Sequence, residues 1–217
     1  MSPLAHSLRG IALVGLVSLG AFANAAQATT FTIDQARSML VLQLFRDGVA
    51  AGLGHDHVVR ATRFSGLVSF DPKTPESASI RVDVDAAALK ADEPSTRSRF
   101  SVSGAPTASD IAEIETSMKS ERQLYVSKFP RITFGSDRIT REASGRYQVA
   151  GQLTIRGVTQ PVRVPATVRM EGDVFRATAT IEFLQTSFGF QPYRAALGAI
   201  KNRDAVVLHV DLTATPQ

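Results

Sequence analysis

The residues best suited to chemistry are two histidines that flank an aspartate, His55, Asp56 and His57. In an extended segment, side chains two positions apart share one face, so both imidazoles would point one way and Asp56 the other. Two imidazoles at this spacing can share a zinc or copper ion, and Asp56 can instead orient one ring if the segment turns. The pattern indicates a metal site at His55 and His57, or a turn at Gly52 and Gly54 that these side chains stabilise.

No other motif in the sequence completes a catalytic or metal centre. A metal site normally has a third protein ligand, and the candidates His209, Asp211 and Glu182 lie far along the chain. Asp83 and Asp85 share one strand face, as paired catalytic carboxylates could, but Arg81 lies on the same face, which is typical of a solvated surface. The chain has no Gly-x-Ser-x-Gly, no His-Glu-x-x-His and no phosphate-binding loop. We therefore predict a protein without catalytic residues.

The elements that must position these residues are mostly strands. Apolar residues alternate with polar ones in segments 31–33, 64–70, 80–84, 147–155, 162–168, 175–183 and 206–212, while residues 38–45 are almost continuously apolar. A break at Gly157 predicts a hairpin turn, with Pro161 limiting where pairing starts. One helix is predicted over residues 107–120, with Thr107 as its N-cap and Asp110 completing a capping box. Residues 94–106 are rich in Ser, Gly and Pro, which predicts a mobile loop.

Eight or nine antiparallel strands with one helix in a single domain are compatible with a sandwich or with a closed up-and-down barrel. A barrel of about eight strands can hold one small ligand. The small residues Ala177 and Ala179 and the doubly apolar strand at 39–45 favour the barrel.

Composition and the first residues indicate where the protein works. The 217 residues include no cysteine, which excludes disulfides and thiolate chemistry, and the net charge of +4 comes from scattered residues, unlike a nucleic-acid site. Arg9 precedes the apolar residues 10–23, and small residues follow up to Ala28, as in a cleaved signal peptide. The apolar run is shorter than the roughly twenty residues of a membrane span. We predict a periplasmic protein without a transmembrane segment, with the signal in residues 1–28 and one domain in residues 29–217.

Several segments together resemble the YceI-like family of exported lipid-binding proteins. They are Thr-Phe-Thr-Ile-Asp at 30–34, Phe-Ser-Gly-Leu-Val-Ser-Phe-Asp at 64–71, Met-Lys-Ser at 118–120, Lys-Phe-Pro-Arg-Ile-Thr-Phe at 128–134 and Gly-Gln-Leu-Thr-Ile-Arg-Gly-Val-Thr-Gln-Pro-Val at 151–162. The last is the most specific, and together the segments span nearly the whole chain after the signal. The sequence departs from the family at Arg37, where a histidine is usual, and at residues 52–57, which replace a His-Leu-Gly.

The resemblance implies a mainly all-β fold, a single antiparallel lipocalin-like barrel of about eight strands with one inserted helix. Family members hold polyisoprenoid chains, such as a quinone tail, in a long apolar tunnel. We therefore expect a non-catalytic carrier whose partner is an apolar isoprenoid lipid, with no cofactor beyond that lipid or quinone and no nucleic acid. Family members can form a homodimer, but nothing in this sequence predicts the interface. The expected tunnel or core residues are Met39, Val41, Phe45, Phe134, Leu153, Ile155 and Phe183, and Tyr193 and Arg194 are expected at a head group.

Two alternatives to the carrier stay open at the level of sequence. One is a metal-binding protein or metal-binding stress factor that uses His55 and His57. The other is a barrel filled by its own side chains that serves as an interaction module. Within the barrel, a register slip of one residue exchanges the two faces of a strand, so the pattern does not say which face lines a tunnel.

Overall fold

The structure, a computed structural model, describes residues 28–217, which form one antiparallel sheet and two α-helices. The strands are β1 (Thr29–Ile33), β2 (Met39–Asp47), β3 (His57–Ala61), β4 (Phe64–Phe70), β5 (Ser79–Asp85), β6 (Leu89–Ala91), β7 (Arg131–Ala143), β8 (Arg146–Ile155), β9 (Val158–Glu171), β10 (Val174–Leu184), β11 (Arg194–Ala195) and β12 (Ile200–Pro216). The helices are α1 (Pro94–Arg99) and α2 (Ala108–Lys119).

Eight strands close into a ring in the order β1, β4, β5, β7, β8, β9, β10 and β12, and β1 pairs with β12 to complete it. Along one edge β12 pairs with β10; along the other it pairs first with β2 and then with β1. Because the ring is closed, the predicted mainly all-β, lipocalin-like antiparallel barrel is confirmed and the sandwich is excluded.

Three further strands widen the barrel at one end. β2 continues the sheet from β12, β3 pairs with β2, and the short β6 pairs with β3. α2 packs against β6 and covers the edge of the sheet there. The helix thereby becomes part of the barrel wall.

The predicted helix is confirmed as α2, and its start has the predicted chemistry. The Thr107 hydroxyl accepts from the N–H of Asp110, and the Asp110 carboxylate accepts from the N–H of Thr107. The loop predicted over residues 94–106 is wrong in its first part, because Pro94 starts the short helix α1. Proline suits this first position since its fixed φ matches a helix and its missing N–H has no partner there.

The hairpin between β8 and β9 is confirmed, but its pairing starts earlier than predicted. Ile155 already pairs with Val158, because Arg156 and Gly157 both take positive φ, 53° and 74°, and turn the chain in two residues. This is the geometry that two-residue hairpin turns require. Pro161 lies inside β9 opposite Gln152 and does not delay the pairing.

The predicted signal peptide, apart from Ala28, lies outside the described residues. Within residues 28–217, no helix has the length and apolar character needed to cross a membrane.

Candidate functional site

A cavity of about 620 Å³ occupies the inside of the barrel and follows β12 from Asn202 to Leu212. In the strands that line it, such as β2, β8 and β10, mainly alternate residues form the wall, because successive side chains of a strand point to opposite faces. Among the residues of the wall are Leu40, Leu42, Leu44, Phe134, Leu153, Ile155, Val164, Ile181, Phe183, Val206, Leu208 and Val210. This volume and apolar lining are typical of sites for small molecules.

One end of the cavity is closed by four aromatic residues, the aromatic plug, formed by Phe31, Phe70, Tyr147 and Phe175. The ring centroids of Phe31 and Phe70 lie 5.7 and 5.3 Å from that of Phe175. The ring of Tyr147 meets Phe70 edge-on at 6.4 Å, a favoured geometry for aromatic pairs. All four rings are buried. An apolar ligand entering from the other end would therefore stop here without meeting water.

Three alanines keep the cavity open just above the aromatic plug. Ala177 lies two residues beyond Phe175 on β10, and Ala179 follows it on the same inward face. Ala166 of β9 pairs with Ala179 and also lines the cavity. Because each contributes only a methyl group, the space at this level is left to a ligand.

One side of the cavity is formed by α2 and the segment after it, through Ile114, Met118 and Leu124. Glu115 holds this helix against β6: its carboxylate accepts from the N–H of Ala91 at 3.2 Å and from Lys90 Nζ at 3.1 Å. Burial would raise the pKa of Glu115, but these bonds and a further one from Lys119 outweigh it and lower the pKa. The contact also satisfies an N–H of the edge strand β6.

A buried ion pair lies behind the wall at the wider end. Asp92, which follows β6, accepts from Arg97 Nη1 at 2.5 Å and from the Val58 N–H at 3.1 Å. Both charged side chains are almost fully buried. Burial would raise the pKa of Asp92, but its hydrogen bond to His57 and the nearby charges hold the pKa below the usual 3.8. Arg97 also donates to the carbonyls of Asp56, Ser103 and Gly104, so the pair fastens α1 and the following loop to the start of β3.

His57 connects this ion pair to the cavity. Its Nδ1 lies 2.6 Å from Asp92 Oδ2, and a carboxylate at this distance assigns the proton to Nδ1. The ring lies on the inward face of β3, beside Leu44, and lines the cavity. Nε2 makes no hydrogen bond to the described part of the chain. With the proton on Nδ1, Nε2 can accept one hydrogen bond from a hydroxyl group of a ligand at this end.

The structure gives no support to a metal site at the histidine pair. Both His55 and His57 line the cavity, as the shared face predicts, but residues 28–217 contain no group of three or more side chains placed to hold a metal ion. Asp56 accepts from the N–H of Arg46 at 2.8 Å. Asp92, 35 residues further on, orients the imidazole instead, and no sequence pattern near it signals this role.

The proposed third metal ligands lie elsewhere. His209, Asp211 and Glu182 alternate with the inward residues of β12 and β10, so they belong to the outer face. Nε2 of His209 lies 2.6 Å from Gln43 Oε1, and burial lowers the pKa of His209.

Five of the residues expected to contact a ligand do line the cavity. Phe134, Leu153, Ile155 and Phe183 are in its wall, and Tyr193 is at the wider end, with 46% of its surface exposed. Arg194 is exposed and is not part of the wall. Contact with a ligand stays a prediction for all of them.

Met39, Val41 and Phe45 lie on the face of β2 that points away from the cavity, where Leu40, Leu42 and Leu44 line it instead. Val41 is fully buried all the same. Since both faces of β2 are apolar, its sequence could not show which face is turned inward. All three are expected from the sequence as tunnel or core residues: Val41 is in the core, and none of the three lines the cavity, which is one step of register from a tunnel-facing position.

Comparison with known proteins agrees with this geometry. The profile of the YceI-like domain matches residues 31–214. The chain belongs to the YceI-like family. Proteins of this family bind hydrophobic ligands and are not known as enzymes. A UPF0312 protein of Shewanella baltica is 29% identical over 189 residues, covering 83% of this chain and 85% of the relative.

Solved structures of YceI-like and related barrels share the fold at low sequence identity. Burkholderia cenocepacia BcnA superposes with a TM-score of 0.64 at 20% identity, covering 84% of this chain and 99% of BcnA. The Campylobacter jejuni YceI protein gives 0.57 at 14% identity, covering 73% of this chain and 84% of that protein.

Proposed function

We propose that this protein is a periplasmic carrier that holds the apolar chain of an isoprenoid lipid, such as a polyprenol or a quinone tail, inside its barrel. The observation that carries the proposal is the cavity of about 620 Å³, lined by aliphatic and aromatic side chains and closed at one end by the aromatic plug. The signal-like features of residues 1–28 support export.

Burial of the ligand supplies the binding energy. Each methylene moved from water into an apolar site contributes about 0.8 kcal/mol. A chain of about twenty carbons would gain roughly 16 kcal/mol, from which about 4–15 kcal/mol is lost on immobilising the ligand. Tight binding therefore needs no charged contact. One further hydrogen bond is available, because His57 Nε2 can accept from a hydroxyl group that remains at the wider end.

Native mass spectrometry of the protein purified from its own host tests the proposal. We expect a bound mass that matches an isoprenoid lipid. Ile181→Asn places an amide in the cavity wall and should abolish the bound mass, whereas Thr180→Asn, one residue away on the outer face, should keep it. Circular dichroism shows whether each variant is folded.

Two outcomes would contradict the carrier proposal. One is a folded Ile181→Asn variant that keeps the same lipid. The other is protein without lipid but with stoichiometric metal, lost when His55 and His57 are both changed to alanine. Light scattering of the same preparation measures whether the protein forms a homodimer, as members of the family can.

A further inference from the structure

Two neighbouring loops surround the wider end of the cavity, and we call them the rim: residues 48–55 and residues 189–200. The N–H of Ala50 donates to the carbonyl of Ala199 at 2.9 Å, which joins the two loops. Leu53, Tyr193 and Ile200 of the rim also line the cavity. A surface that covers the rim therefore lies next to the entrance of the cavity.

The rim is unusually apolar for an exposed surface. Its twenty residues include one formal charge, that of Arg194. Val49 is 98% exposed, Leu53 78% and Leu197 110%. By contrast, the turn between β4 and β5 at the plugged end has the sequence Asp-Pro-Lys-Thr-Pro-Glu-Ser-Ala over residues 71–78. Exposed apolar surface concentrated in one place marks an interaction site more often than it occurs by chance.

The backbone at Leu197 holds one of these side chains outward. Its φ of 55° and ψ of 26° lie in the left-handed region, which is uncommon for a bulky residue and persists only where the surroundings enforce it. The following Gly198 also has positive φ. This conformation is strained and leaves the leucine side chain wholly in water. Both features would be explained by a partner that covers this side chain.

We propose that the rim docks on the surface of a phospholipid bilayer and brings the cavity entrance into contact with the hydrocarbon. This inference rests on the proposed carrier function in one respect: an isoprenoid lipid is scarcely soluble in water, so the carrier must collect it at a membrane. Val49, Leu53 and Leu197 would enter the interface, as apolar residues of membrane-surface proteins do. Arg194 would meet the lipid phosphates.

A bilayer fits the rim better than a protein partner. A protein interface needs hollows matched to each protruding side chain and a well-packed core. The rim instead presents separate tips on two loops, which a fluid interface accommodates without such a match. The acidic residues Asp110 and Glu113 of α2 also line the cavity and are exposed, but they do not belong to the rim. Because exposed carboxylates favour water, we expect the rim, rather than α2, to enter the interface.

Vesicle flotation tests the inference, with vesicles of phosphatidylcholine alone or mixed with phosphatidylglycerol. Leu197→Glu and Val49→Glu should each lower vesicle binding roughly tenfold or more. Each variant loses an apolar side chain that would enter the bilayer interface and introduces a negative charge there. Leu67→Glu is the matched control, since Leu67 is 44% exposed on β4, away from the rim. It should leave binding within about twofold of the wild type. Residues 1–28 are the same in every variant, so differences report on the rim.

Binding of retinol, a fluorescent isoprenoid alcohol, separates docking from carriage. Neither Val49 nor Leu197 lines the cavity, so both variants should bind retinol added to vesicle-free buffer as the wild type does. Transfer of retinol from vesicles should slow in proportion to the loss of flotation.

Three outcomes would overturn the docking inference. The first is a wild-type protein that binds retinol but does not float with vesicles, and the second is a Leu197→Glu variant that floats as well as the wild type. The third is a wild-type protein that does not float and forms a dimer, which Leu197→Glu converts to a monomer. The last would mean that a second copy covers the rim. Flotation that depends on Leu197, in a protein that binds no retinol and carries no lipid, would instead support docking and overturn the carrier function.

Discussion

Replacing Ala179 with phenylalanine should shorten the apolar chain that the cavity holds. Ala179 lies in the cavity wall, paired with Ala166 and four residues along β10 from Phe175 of the aromatic plug. The substitution adds a ring of six carbons at this level, which displaces about six carbons of a ligand that reaches the plug. At about 0.8 kcal/mol for each, the loss approaches 4–5 kcal/mol, or about three orders of magnitude in Kd.

The chain-length dependence of binding is the decisive measurement. Geraniol, farnesol and geranylgeraniol contain two, three and four isoprene units, and each competes against radiolabelled geranylgeraniol for the protein. In the wild type, affinity should rise with each unit until the chain meets the plug. In Ala179→Phe, the rise should stop about one unit earlier, while the shortest alcohol binds as before because it ends above Ala179.

Thr180→Phe is the matched control, because Thr180 is exposed on the outer face of the same strand. It should leave the chain-length profile unchanged. A folded Ala179→Phe protein with wild-type affinity for geranylgeraniol would refute the reasoning, since the chain could not then run along the cavity as we propose.

Three further predictions concern the buried ion pair, the turn between β8 and β9, and the imidazole of His57. Asp92→Asn should lower the free energy of unfolding by about 3–5 kcal/mol in urea titration, because it leaves the Arg97 guanidinium buried without its carboxylate. The pKa of Asp92 is below 3.8 in the folded protein, so the contribution of its carboxylate to stability is complete above that pH and is lost as the pH falls through the folded-state pKa. The Asp92→Asn variant should lack this part of the acid dependence of stability. Gly157→Ala should lower Tm more than Gly172→Ala, because both residues have positive φ but only at Gly157 would a Cβ lie 2.6 Å from an aromatic carbon. His57→Phe should weaken binding of geranylgeraniol by about 1 kcal/mol, but not that of a hydrocarbon of equal length.

Each of these predictions has a clear contradicting result. An Asp92→Asn protein as stable as the wild type would mean that Arg97 finds another acceptor. Equal decreases in Tm for the two glycine variants would mean that the ring of Phe129 moves aside at little cost. Equal losses for alcohol and hydrocarbon would show that His57 contributes shape rather than a hydrogen bond.

The sequence alone was sufficient where the signal was local and periodic. In β10, five apolar residues alternate from Phe175 to Phe183, and the structure has a strand there with that face inward. Thr107 and Asp110 predicted the start of α2 because a capping box involves residues only three apart. The family motifs then supplied the closed ring, which no single strand could indicate.

The sequence was insufficient where the structure depends on contacts between remote residues. β2 is apolar on both faces, because one face lines the cavity and Val41 on the other is fully buried, so its pattern could not give the inward face. The contact of His57 with Asp92 joins residues 35 apart. Likewise, α1 looks like a loop because its residues favour turns, and it is fixed by the burial of Arg97.

The final strand decides when this fold can form. Pairing of β1 with β12 joins residues 31–33 to residues 214–216, so the first and last strands of the domain must meet before the ring closes. Until β12 has been synthesised, β10 and β2 both lack the neighbour that it provides, and their free edges can recruit strands from other molecules. Contacts so distant along the chain also form slowly. A nascent copy of this protein is therefore exposed to aggregation for longer than a helical protein of its size, and it has most to gain from a chaperone that shields unpaired strands.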